Sequence, residues 1–187
     1  DRMAPGEKHQ GIIAQVSGFS YSSIDEILDV AENRGEEPFV IILDGIEDPH
    51  NLGAVMRTAE CVGAHGIIIP KRRAASVTET AAKSAAGAAE YMKVAKVTNI
   101  SRAIDELKER GLWIAACDMD GDTYWQSNLK GSIAIVIGNE GAGISKLVKE
   151  KCDFTVSMPM KGKITSLNAS NAAAVIMYEV RRQRDGI

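Results

Sequence analysis

No apolar run in this chain approaches the roughly 18 residues needed to span a bilayer. The longest runs, residues 39–43 and 133–137, have the length of strands. Cysteine is scarce: Cys61, Cys117 and Cys152 are odd in number and scattered, and no Cys-x-x-Cys occurs. That usage argues against a disulfide framework and a zinc site, and suits a reduced, cytoplasmic protein. No metal-ligand cluster is visible, and His50 has no second histidine near it, so a turn role suits it better than ligation. There is no signal-peptide pattern. Positive charge is not in excess either. A net charge of −3 excludes a domain that holds nucleic acid by bulk charge alone. Basic residues do cluster locally, at Lys71-Arg72-Arg73, at Lys161 and Lys163, and at Arg181-Arg182 with Arg184. Such runs permit RNA binding without requiring it.

The composition that remains, 45% hydrophobic and 25% charged over 187 residues, is that of one soluble globular domain able to bury a sizeable core. Residues 1–10 read as a polar tail or linker, 12–16 as a short strand, and 23–33 as a helix capped by Ser22 or Ser23. From residue 39 a unit recurs: an apolar β-branched run, a polar turn, and an amphipathic or alanine-rich helix. The periodicity predicts strands at 39–43, 66–69, 91–94, 113–117, 133–137 and 154–157. Helices are predicted near 52–62, 77–86, 100–110, 144–149 and 167–182. Nearly continuous apolar strands between helices signal a parallel sheet covered on both faces, hence an α/β layered fold. In such sheets ligands sit beyond the carboxyl ends of the strands. The polar residues that follow the strands therefore matter most.

Three loops stand out. After residue 43 comes Asp44-Gly45-Ile46-Glu47-Asp48-Pro49-His50-Asn51, then a helix carrying Arg57 among small and apolar neighbours. Arg57 either pairs with Asp44 or Asp48 to pin the loop, or offers a guanidinium to a phosphate or ribose oxygen. After residue 137 comes Gly138-Asn139-Glu140-Gly141-Ala142-Gly143. Its glycine spacing permits a tight turn against a ligand, but it is neither the dinucleotide fingerprint nor a P-loop. Glu140 would repel a pyrophosphate. The third segment runs from Met158-Pro159-Met160 through a basic, glycine-broken loop into Ser166-Leu167-Asn168 and an alanine-rich helix. A helix start holds unpaired N–H groups that can receive a small polar ligand, or Thr165 or Ser166 simply caps it. The helix itself packs on the core or on another subunit.

Together these segments resemble the motifs of the SpoU (TrmH-like) class of SPOUT RNA 2′-O-ribose methyltransferases. The resemblance covers residues 39–182 and rests on ordered motifs. These are an Asn with an Arg six residues later, then Ile-Gly-Asn-Glu-Gly-x-Gly, then Met-Pro-Met followed by Ser-Leu-Asn-x-Ser. His9-Gln10-Gly11 and the run that follows also resemble the junction after an N-terminal RNA-binding domain in the class members that methylate ribosomal-RNA guanosine. On that likeness, residues 11–187 are a catalytic domain and 1–10 the end of a linker from a missing RNA-recruiting domain.

The resemblance implies a C-terminal deep trefoil knot, which topology rules would exclude by default. It implies S-adenosylmethionine as cofactor, held around Ile137, Gly138, Met158, Met160 and Leu167. It implies a homodimer through the helix at 167–182, and an RNA substrate, ribosomal rather than transfer RNA. Arg57, Asn51, Glu140, Ser166 and Asn168 fall at the family's functional positions. Arg57 would steady the reacting hydroxyl; Asn51, Ser166 and Asn168 would position arginine, ribose and cofactor; Glu140 would orient its loop or touch the substrate nucleotide. One departure is Asn171, where the family has an apolar or small residue, which bears on dimer strength. The competing readings are a knotted RNA-binding domain without catalysis and, less well matched, an NAD-dependent enzyme.

Overall fold

The computed structural model describes residues 18–187. The tail at 1–10, the strand expected at 12–16 and the junction at 9–11 lie outside the described residues. Six strands form one parallel sheet: β1 (Phe39–Asp44), β2 (Gly66–Pro70), β3 (Val94–Val97), β4 (Trp113–Thr123), β5 (Ile133–Gly138) and β6 (Phe154–Ser157), in the order β3-β2-β1-β5-β4-β6. Six helices cover it: α1 (Ile24–Arg34), α2 (Pro49–Cys61), α3 (Glu79–Ala85), α4 (Ile100–Glu109), α5 (Lys146–Lys151) and α6 (Ala169–Asp185). This is the α/β architecture expected from the sequence.

The central strands show why the sheet is buried on both faces. In β1, Phe39, Ile41 and Leu43 point into a core with Leu52, Val55 and Met56 of α2 and Ile176, Met177 and Val180 of α6. The alternate residues Val40 and Ile42 pack with Ile24 and Ile27 of α1 and Ile100, Ile104 and Leu107 of α4. A period-2 strand thus feeds two cores, so no position can be polar until Asp44 leaves the sheet. β1 and β5 run in register from Phe39–Ile133 to Asp44–Gly138, which brings their two following loops side by side. Among the described residues no helix is long and apolar enough to cross a membrane.

Helix ends follow local chemistry. Ser23 and Glu26 form a capping box at the start of α1, and Gly35 closes it in the left-handed region at φ 65°. Asp48 caps α2 with Pro49 in the first turn, so the helix begins earlier than its apolar pattern suggests. α3 is capped by Thr78 and starts two residues later than the periodicity predicts. α5 and α6 also start two residues late, at Lys146 and Ala169.

Two strands differ more. The run at 91–94 does not form a strand throughout: residues 88–90 turn as a 3-10 helix, Tyr91 is exposed, and β3 begins at Val94. β4 extends past Cys117 through Asp118-Met119-Asp120-Gly121 to Thr123. The extension is paid for by pairing with β6, which resumes at Asp122 after a bulge. Its polar residues carry no strand pattern, so only the neighbouring strand reveals it.

Candidate active site

Asp44 ends β1 by accepting the Ser145 N–H at 2.7 Å, and Asn139 donates from Nδ2 to the Gly45 carbonyl at 2.8 Å. These bonds fasten the loop after β1 to the loop after β5. Asn139 also organises its own loop. Its Oδ1 accepts from Gly141 N and Ala142 N, and its backbone exchanges bonds with Gly143 at 3.1 and 2.8 Å. Gly143 sits at φ 67°, and a side chain at Gly138 would collide with the Gly143 backbone. The glycines of this motif therefore let the chain fold back upon the strand end.

The third segment leaves edge strand β6 and returns to these two loops. Glu140 Oε1 accepts from Asn51 Nδ2 at 3.0 Å, from the Ala169 N–H at the start of α6 at 3.1 Å, and closely from Asn168 Nδ2. Asn168 Nδ2 also meets Asn51 Oδ1 at 3.0 Å. One carboxylate oxygen thus gathers three segments distant in sequence. Its charge lies against the N-terminus of α6, where the helix dipole favours an anion. Asn168, not Thr165 or Ser166, caps α6: its Oδ1 accepts from Ser170 N at 3.0 Å and Asn171 N at 3.4 Å. An Asx cap outcompetes the earlier hydroxyls because Glu140 already holds its amide and turns its oxygen toward the helix.

Around this cluster is a cavity of about 340 Å³, within the range of small-ligand sites. Ile137, Gly138, Met158, Met160 and Leu167 all line it, as do Glu140 and Ser166. Its far wall comes from Cys117, Asp118 and Met119, at the bulge in β4, which the sequence did not single out. Lys149 of α5 clips that wall in place, with Nζ at 2.8 Å from Asp118 Oδ2 and 2.7 Å from Asp120 Oδ1. The hydrogen bonds that Lys149 donates to Asp118 and Asp120 raise the lysine's pKa, and the lysine lowers that of Asp120. Burial, with the adjacent Asp118, pushes the Cys117 thiol up to about 12, so it stays protonated and inert.

Arg57, Asn51 and Asn168 do not line the cavity. Asn51 is buried behind Glu140. Arg57 is exposed, about 12 Å along α2 from its start, and pairs with no described residue. The alternative in which it pins the loop does not hold: Asp44 is taken by Ser145 N, and Asp48 by His50 N. His50 packs its Nδ1 3.1 Å from Ser84 Oγ, a structural position. Asn139 was the residue sequence reasoning undervalued. Its signal was an Asn directly after a strand with glycines two and four residues on, the pattern of an Asx turn.

A parallel α/β sheet with a ligand-sized cavity built from three returning loops defines a class of fold, and comparison with known proteins places the chain within it. Residues 38–178 match the model of the SpoU rRNA Methylase family. The chain belongs to this family. It is 51% identical over its whole length to YacO of Bacillus subtilis (strain 168), assigned to the TrmH family of tRNA/rRNA methyltransferases, and spans 75% of that protein. The SpoU methyltransferase AviRb from Streptomyces viridochromogenes, solved in complex with the cofactor AdoMet, superposes with a TM-score of 0.74 and 32% identity. That match covers 79% of this chain and 58% of AviRb, so the chain spans less than two thirds of that protein. A solved RNA 2′-O ribose methyltransferase superposes with a TM-score of 0.71 and 28% identity, over 79% of this chain and 57% of its own.

Proposed function

We propose that this chain transfers a methyl group from S-adenosylmethionine to a ribose 2′-hydroxyl of RNA, and that the RNA is ribosomal. The observation that carries the reading is the Asn51–Glu140–Asn168 cluster, which joins the three motif loops around one cavity. The lining residues fit the cofactor. Ile137, Leu167 and Ala172 would offer apolar contact, and the turn at 138–143 would offer backbone groups to the adenosine and methionine parts of the cofactor. S-adenosylmethionine, when bound, supplies an electrophilic methyl carbon. Glu140 holds Asn168 and the start of α6, so that Ser166 and Leu167 keep one wall of the cavity in place. Arg57 steadies the negative charge that grows on the ribose oxygen. A guanidinium with a pKa above about 12 is no base, so the proton leaves to a phosphate oxygen or water.

Arg57 stands on the outer face of α2, which packs against α6. A homodimer through α6, whose Val175 and Tyr178 are exposed, brings that face toward a second copy and supplies what one cavity lacks. The same reading takes the returning segment 158–168 as the threaded part of a deep trefoil knot. Asn171 is exposed near the start of α6, where it weakens or reshapes that contact.

Calorimetric titration with S-adenosylhomocysteine, with NAD as control, tests the cofactor. Saturable binding of the first alone is expected. Failure in a folded, dimeric chain overturns the reading. Arg57→Ala should lower single-turnover methylation at saturating RNA at least a hundredfold while leaving homocysteine binding unchanged. The second reading, RNA binding without catalysis, is favoured by one observation, the position of Arg57 outside the cavity wall. Near-normal methylation by Arg57→Ala would remove the role given to this residue, and an absence of methylation in the unaltered chain with bound cofactor would favour the second reading.

A further inference from the structure

Cations are distributed unevenly over this molecule. Lys108, Arg110, Lys149, Lys151, Arg181 and Arg182 each meet a carboxylate, and Arg184 is held by backbone carbonyls. Other cations, Arg34, Lys93 and Lys130 among them, stand singly without a described partner, but only after β2 do three follow one another. Lys71, Arg72 and Arg73 are all exposed, and their side chains have no partner among the described residues, although Glu47 is exposed on the neighbouring loop.

Their backbone, in contrast, is fastened at several points. Lys71 N donates to Val97 O at 2.8 Å and Ala75 N to Ile46 O at 2.7 Å. Val77 N donates to the Tyr21 hydroxyl at 2.9 Å, and Lys96 Nζ reaches Ser76 Oγ at 2.7 Å. Arg73 adopts φ 54°, a left-handed conformation that an L side chain rarely takes. A loop that merely solvated three charges would need none of this. The bond to Ile46 also ties it to the loop that leads into Asn51, at the same carboxyl end of the strands as the cavity.

We propose that Lys71, Arg72 and Arg73 form a preset docking site for the phosphodiester backbone of the RNA substrate, flanking the nucleotide that enters the reaction site. The identity of the partner rests on the methyltransferase reading above. Fixed backbone reduces the ordering cost of binding, and unpaired cations lose no internal ion pair when they take a phosphate. The contact positions the RNA without reading its bases, since phosphate contacts carry no sequence information directly.

The test is fluorescence anisotropy with a labelled RNA hairpin across a salt series, alongside homocysteine calorimetry and thermal melting. The altered chain is Lys71→Ala/Arg72→Ala/Arg73→Ala. Its control is Arg34→Ala/Lys93→Ala/Lys130→Ala, which removes the same charge from three exposed, unpartnered residues near the opposite ends of the strands. The docking variant should lose about tenfold or more in RNA affinity at low salt. Its log–log salt slope should become shallower by about 2, at roughly 0.7 per phosphate neutralised on a single strand. The control should bind RNA nearly as the unaltered chain does, and both should melt and bind S-adenosylhomocysteine normally. Equal losses in both variants, unchanged RNA affinity in the docking variant, or no RNA binding by the unaltered chain overturns the assignment. Loop-dependent RNA binding in a chain that does not bind the homocysteine would instead overturn the cofactor reading and leave the docking site standing.

Discussion

The two ends of the sheet are built on opposite principles. At the amino ends of the strands, polar groups close upon one another. Arg184 donates to the carbonyls of Glu37, Pro38 and Gly131 at 2.9, 2.9 and 2.6 Å and lies over the Phe39 ring. His65, buried, accepts the Phe39 N–H on Nδ1 at 2.9 Å and turns Nε2 to Glu36 at 2.9 Å. At the carboxyl ends, groups remain open. Glu140 gathers its donors on one oxygen, while Lys71–Arg73 have no described partner. Arg184 and His65 hold the fold at one end; Lys71–Arg73 stay available at the other. Stability and ligand binding should therefore respond to different substitutions.

The largest stability effect is expected at the closed end. Arg184→Ala strands three carbonyls and should cost about 3 kcal/mol in chemical denaturation, since bonds from a charged donor are among the strongest. S-adenosylhomocysteine binding below the melting transition should be unaltered. A parallel loss of binding would break the separation between the two ends.

Glu140→Ala should cost less, about 1–2 kcal/mol, because Asn168 is exposed and can turn to water, although Asn51 and Ala169 are buried. It should nonetheless weaken homocysteine binding at least tenfold in calorimetry. Retained affinity would show that the cluster braces the fold and not the cavity.

His65 gives the closed end a pH dependence. Burial lowers its pKa, against the opposing pull of Glu36. The unfolded ring takes a proton near pH 6.5 and the folded ring only at lower pH, so the unfolded state binds more protons between. Stability contributed here is complete above about pH 6.5 and falls as pH drops through the folded pKa. His65→Gln keeps an acceptor for the Phe39 N–H without titrating. In melts from pH 7 to 5 it should flatten this part of the profile, and an unchanged slope would assign the dependence to other groups.

The smallest melting shift is expected for Lys149→Met, one of whose two partners, Asp120, is largely exposed. Its effect should fall on homocysteine affinity, about threefold to tenfold by calorimetry, because the Asp118 wall loses its clip. A change in melting temperature without a change in affinity would move Lys149 from the open end to the closed one.

Much of this contrast was legible in the sequence. Uninterrupted apolar runs identify β1 and β5 because both faces of a central strand are buried. The three polar loops are legible because Gly, Asn, Pro and Ser carry turn chemistry in their local order. The bulged half of β4 was not. Asp118-Met119-Asp120-Gly121 has no apolar rhythm, and β6 alone holds it in the sheet. The capping role of Asn168 was equally hidden, since it depends on Glu140 arriving from another loop.

The sequence by itself determined most of the strands and helices, apart from the start of β3 and the second half of β4, together with the loops that carry unusual polar residues and their resemblance to one family. Local order suffices for these because periodicity and turn propensity act within a few residues. The tertiary structure alone decided that one Glu140 oxygen joins Asn51, Asn168 and the start of α6, and that Cys117–Met119 close the cavity while Arg57 stays outside it. Those outcomes depend on strand order and register, through which residues far apart in the chain come within hydrogen-bond range.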